Sequence, residues 1–98
     1  MKYFHRTSVG PDRVIARAIG WFSASLAPVE EGARRRRFAG ALGQLAVTAQ
    51  AEGGHYTLVT VETNQPGESE LDRVAKRFLT EVHAAVDSSH VRAVFGGS

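Results

Sequence analysis

Between Leu71 and Val86 the apolar residues Leu71, Val74, Ala75, Phe78, Leu79, Val82, Ala85 and Val86 recur at intervals of three and four, the spacing that lines up side chains along one face of an α-helix. A stripe of about four turns cannot stay in water. In a chain of 98 residues its cover must come from the same small domain, so the remaining segments have to present a second apolar surface. The helix start is marked locally. Pro66-Gly67 interrupts what precedes it, Ser69 and Asp72 stand at capping-box spacing, and Glu68, Glu70 and Asp72 complement the positive end of the helix dipole.

The cover is expected from strands. Residues 44–51, QLAVTAQA, alternate Leu45, Val47, Ala49 and Ala51 with Gln44, Ala46, Thr48 and Gln50, and residues 56–63, YTLVTVET, are β-branched and aromatic. The connection between them decides which residues share a face, because a one-residue slip reverses every side chain. A three-residue loop, Gly53-Gly54-His55, with a glycine in the left-handed region, sets Val59 and Val61 opposite Ala49 and Val47. One face then carries Leu45, Val47, Ala49, Val59 and Val61. The other carries Thr48, Gln50, Tyr56, Leu58 and Thr60.

Upstream, residues 2–8 suit a short strand, and Pro11 with Asp12 opens a helix over 11–24 whose Val14, Ile15, Ala18, Ile19 and Phe22 form one stripe. Trp21 beside Phe22 falls at the margin of that stripe and is expected to pack within the chain. The stretch ARRRRFAG, residues 33–40, follows Glu30-Glu31-Gly32 and reads as a hairpin with Gly32-Ala33 as a two-residue turn. That register pairs Glu31 with Arg34 and Glu30 with Arg35. Gly40-Ala41-Leu42-Gly43 makes the next connection.

The expected fold is therefore α+β and two-layered, an antiparallel sheet of about five strands with two helices on one face, in the order β-α-β-β-β-β-α. Residues 1–95 form one domain, with room for a short C-terminal strand in 90–95, and 96–98 read as a flexible tail.

The segment GGHYTLVTVETNQPGESELDRVAKRFLTEVHAAV, residues 53–86, combines a last strand, a Pro-Gly turn and a long amphipathic helix. With the N-terminal strand and Val9-Gly10-Pro11-Asp12-Arg13-Val14, it resembles a shortened START/polyketide-cyclase-type helix-grip domain, and it is similar to a half-repeat of the TATA-box-binding-protein fold. The resemblance is one of element order and carries no site residues. It implies a curved sheet around the C-terminal helix. Helix-grip proteins that enclose a ligand have more strands and a further helical segment, so a closed cavity is not expected within one chain. A second chain could supply the missing wall.

Composition narrows the chemistry. No cysteine is present, which excludes disulfides, thiolate metal sites and a cysteine nucleophile. The histidines His5, His55, His83 and His90 show no metal-ligand spacing, so no metal or other cofactor is expected. There is no nucleophile elbow, P-loop or dinucleotide fingerprint, and the reading leans away from an enzyme. Glu62 and Asp72 are the candidate acid-base pair of carboxylates, at a separation that the sequence does not set. No apolar run approaches the ~18 residues of a membrane span, and a cytoplasmic protein without membrane contact is expected.

The net charge is only +2 although the chain holds ten arginines and two lysines. A strand sends Arg34 and Arg36 to one side and Arg35 and Arg37 to the other, which divides any phosphate track. These four are the candidate anion contacts. The favoured function is a non-catalytic domain that forms a homodimer, or holds an apolar or amphipathic small molecule, through the face bearing Thr48, Gln50, Tyr56, Leu58 and Thr60. The alternative is a nucleic-acid-associated protein that uses the arginine hairpin.

Overall fold

A computed structural model describes residues 1–95, with side chains through Ala84; the expected tail at 96–98 lies outside the described residues. The elements are β1 (Lys2–Thr7), α1 (Pro11–Phe22), β2 (Ala27–Glu31), β3 (Arg35–Gly40), β4 (Gly43–Glu52), β5 (Tyr56–Thr63) and α2 (Glu70–Phe95). The five strands form one antiparallel sheet in the order β1-β5-β4-β3-β2. The strand and helix sequence is the expected one.

Alternation along the strands divides the sheet into two unlike faces. Leu45, Val47 and Ala49 of β4 lie beside Thr63, Val61 and Val59 of β5, and all six are buried. Both helices cover this side. Val14, Ile15, Ala18 and Phe22 of α1 and Leu71, Ala75, Phe78 and Val82 of α2 join the same core. Phe22 touches Phe38 of β3 and Phe78 of α2 at ring-centroid distances of 5.5 and 5.0 Å, so three aromatic rings tie α1, the sheet and α2 together. Trp21 packs against the rim of this core.

The β4–β5 turn is the three-residue loop Gly53-Gly54-His55. Glu52 pairs with Tyr56 across it, and Gly53 and Gly54 both have positive φ, 61° and 78°. The turn chemistry therefore sets the register on which the two faces depend.

Three local expectations are corrected. The first helix stops at Phe22, two residues short of the expected 24. No strand forms over 90–95, because α2 continues to Phe95. Nothing between Glu70 and Phe95 is a glycine or proline, and without a breaker the alternation in that segment does not overcome helix propagation. The β2–β3 hairpin is also longer than a two-residue turn. Glu31 pairs with Arg36 and Glu30 with Arg37, with an irregularity between Pro28 and Glu30. Leu26, just before β2, is buried and lies close to Gly40 at the open end of the hairpin, where an added Cβ would be 2.9 Å from Leu26 Cδ2. The partners move by two residues, so the side chains keep their faces.

Candidate functional site

The uncovered sheet face is built in rows, because paired residues on neighbouring strands point the same way. One row runs Phe4, Thr60, Thr48, Arg35 across β1, β5, β4 and β3. The row on one side runs Lys2, Glu62, Ala46, Arg37 and Glu30. On the other side Arg6, Leu58 and Gln50 are neighbours, and beyond them Glu52 faces Tyr56. All five residues expected on this face are on it. Phe4, which strand periodicity alone did not attach to them, joins from β1. Phe4 is 62% and Tyr56 58% exposed, so two aromatic rings stand in solvent while the opposite face of the sheet is dry.

Small side chains occupy the middle of this face and larger ones its borders. Ala46, Thr48 and Thr60 form a low patch on the central strands β4 and β5; Leu58 flanks it two residues along β5, Phe4 stands beside it on β1, and Arg35 and Arg37 stand on β3. At one end a shallow cavity of about 290 Å³ is lined by Arg35, Arg37, Gln44, Ala46, Glu62 and Asn64 among others. Its wall is locally fixed. Gly43 has φ of 130°, and a Cβ there would lie 2.7 Å from Asn64 Oδ1, the same oxygen that accepts the Gln44 backbone N–H at 2.9 Å.

The arginine run is divided between the faces as alternation requires. Arg34 reaches Asp12 at the start of α1, 3.3 Å, and Arg36 reaches Glu31, 3.4 Å, both away from the open face. On the open face Arg37 is shared between Glu30 at 3.5 Å and the Gln44 side-chain oxygen at 3.2 Å. Arg35 has no ion pair among the described residues. The other cations of this face are engaged, Lys2 with Glu62 at 3.7 Å and Arg6 with Glu52 at 2.9 Å.

Glu62 and Asp72 do not come together. Glu62 points to the open face, whereas Asp72 is buried below the sheet and bonds to Thr63, the next residue along β5. The Asp72 carboxylate accepts hydrogen bonds from the Thr63 hydroxyl at 2.7 Å, the Ser69 hydroxyl at 2.6 Å, the Ser69 N–H at 3.2 Å and the Tyr3 hydroxyl at 3.0 Å. Burial pushes its pKa up, but the bonds from Ser69, Thr63 and Tyr3 together outweigh that and hold it at about 2. The capping box was legible from Ser69 and Asp72. The two further donors were not, because they come from β1 and β5. Asp72 thus joins both strands to the start of α2, and with every nearby hydroxyl already donating to it, its arrangement is that of an anchor.

A second unforeseen pairing sets His5 of β1 edge-on to His83 of α2, ring centroids 5.7 Å apart. Burial lowers the His5 pKa, and His83 lowers it further. Among the described residues no three His, Asp or Glu side chains are grouped so as to hold a metal ion, and no helix there is long and apolar enough to cross a membrane.

Comparison with protein-family profiles, with curated proteins and with solved structures gives no match to this chain.

Proposed function

We infer that this protein is a non-catalytic binding domain whose working surface is the open sheet face, and that the occupant of that face is an apolar or amphipathic small molecule. The observation that carries this reading is the exposure of Phe4 and Tyr56 on a face whose middle is small, Ala46, Thr48 and Thr60, and whose borders are charged. Exposed aromatic rings around a low centre favour a partner that covers them. The element order, together with this uncovered face, supports reading the chain as a reduced helix-grip or TATA-binding-protein-like unit that binds on its sheet. A second copy of the chain is the other occupant with support, since the exposed Phe4 and Tyr56 rings are also covered when the same face of another chain meets them. The division of the arginine run between two faces weighs against a phosphate track.

The test is Leu58→Glu, which puts a charge on the open face without touching the core. Uptake of the amphipathic dye anilinonaphthalene sulfonate and the solution mass from light scattering are measured on both proteins. The reading requires the native chain to take up the dye and the variant to lose that uptake while its circular dichroism is unchanged; a native dimer that takes up no dye and becomes a monomer in the variant favours the second copy instead. A native chain that is monomeric and takes up no dye removes the reading.

A further inference from the structure

The row Phe4, Thr60, Thr48, Arg35 has an aromatic ring at one end and a guanidinium at the other, with two short side chains between. Three inter-strand steps separate its ends, about 14 Å. We propose that this row is the seat of an amphipathic monocarboxylate, its carboxylate on Arg35 and its hydrocarbon chain lying across Thr48 and Thr60 towards Leu58 and Phe4. The proposal rests on the reading of the open face as a small-molecule surface and adds the chemical class of the ligand.

Charge selects the head group. Five of the cations on or beside this sheet already have carboxylate partners: Lys2 with Glu62, Arg6 with Glu52, Arg34 with Asp12, Arg36 with Glu31, and Arg37 with Glu30. Arg35 alone on the open face lacks one among the described residues, and a guanidinium offers the paired N–H groups that a carboxylate accepts in a bidentate contact. One unpaired cation matches one negative charge. A phosphate monoester or a nucleic-acid backbone would bring more charge next to Glu62, which lines the same cavity, and near Glu30, which faces Arg37 across the strands, without a second free cation to meet it. Arg34 and Arg36, the remaining members of the run, are held on the other side of the strand by Asp12 and Glu31.

Shape selects the tail. Ala46, Thr48 and Thr60 keep the centre of the face low, and Phe4, 62% exposed, together with Leu58 forms its apolar border. A chain that crosses the strands covers Leu58 and the Phe4 ring in one pass. The cavity of about 290 Å³ beside Arg35 leaves room for the head group to approach the guanidinium from the Ala46 side.

The experiment compares decanoate with decanol and with octanoate, each below its aggregation threshold, by isotope-edited NMR titration of the native chain and of Arg35→Gln and Phe4→Ala. Both altered residues are exposed, so the fold is retained and checked by the spectrum itself. Decanoate is expected to shift the amides of Phe4, Thr48, Thr60 and Arg35 and to bind about tenfold more tightly than decanol, the ratio of one charge-assisted pair. Arg35→Gln is expected to bind the two equally. In Phe4→Ala the gain from octanoate to decanoate, up to about fourfold per methylene where the chain is covered, should shrink while the preference for the acid persists. Equal binding of decanoate and decanol to the native chain overturns carboxylate selection but leaves the small-molecule reading standing. Absence of any shift on the open face with either compound overturns both, and shifts confined to the helical layer overturn the placement.

Discussion

Leu58 and Val59 are neighbours in the chain and opposites in the molecule. Val59 is buried between β4 and the helices, whereas Leu58 lies on the uncovered face beside Arg6 and Gln50. The two faces of one sheet differ in how completely they are accounted for. On the helical side the apolar stripes of both helices pack into one core with the sheet, three phenylalanines meet ring to ring, and the Asp72 carboxylate accepts from four donors. On the open side two aromatic rings and one arginine are left over. Folding explains the first face, and the surplus on the second is the part that binding has to explain.

The sharpest way to break this contrast is to place the same charge on both neighbours. Val59→Glu buries an uncompensated carboxylate or forces its protonation, and should cost at least ~4 kcal/mol, enough to unfold a domain of this size in a thermal or urea denaturation. Leu58→Glu, one residue away, should shift the same midpoint by no more than ~1 kcal/mol. Similar losses for both would mean that the open face is a packed surface in the isolated chain.

Phe78→Ala comes next, with an expected loss of ~3–5 kcal/mol from the removal of a fully buried ring that touches Phe22. An unchanged urea midpoint would show that α2 does not depend on the sheet for its cover.

Asp72→Ala removes the acceptor of three hydroxyl groups and one backbone N–H, and a loss of ~3 kcal/mol is expected from the lost cap and the stranded donors. The pH dependence follows from the same bonds. The folded-state pKa is about 2 against an ordinary value of 3.8, so the stabilisation is complete above the higher value and disappears as pH falls through the lower one. Acid titration of stability between pH ~5 and ~2 should therefore be shallower in Asp72→Asn than in the native chain. Parallel curves would mean that Asp72 is not the group that titrates.

The smallest effect is reserved for the arginine run. Arg34→Gln breaks an exposed pair with Asp12 and should change stability by less than ~1 kcal/mol, whereas Arg35→Gln, with no pair to break among the described residues, should leave the denaturation midpoint where it is. A larger loss from Arg35 than from Arg34 would place Arg35 in the fold and remove it from the candidate site.

Much of this division was legible in the residues themselves. The spacing from Leu71 to Val82 specifies a helix with one wet side, the alternation of residues 45–51 and 56–63 specifies two-sided strands, and two adjacent glycines before His55 specify the turn that locks their register. These are short-range properties, determined by side-chain period and by the φ angles that glycine alone adopts freely. Local pattern misled elsewhere. The β2–β3 hairpin carries an irregularity between Pro28 and Glu30 and a longer turn than its glycine suggested, and α2 passes through an alternating segment because no breaker stops it.

What the tertiary structure alone decided is which strands are neighbours. Sequence order places β1 far from β5, yet their pairing brings Phe4 into line with Thr60, Thr48 and Arg35, carries the Tyr3 hydroxyl to Asp72 and brings His5 against His83. The period of a strand says which of its residues point together but is silent on what lies beside them. That is set by the apolar stripe of α2, which lies over β1 and β5 and is covered only when β1 closes against β5, whereas α1 finds its cover on β3 and β4.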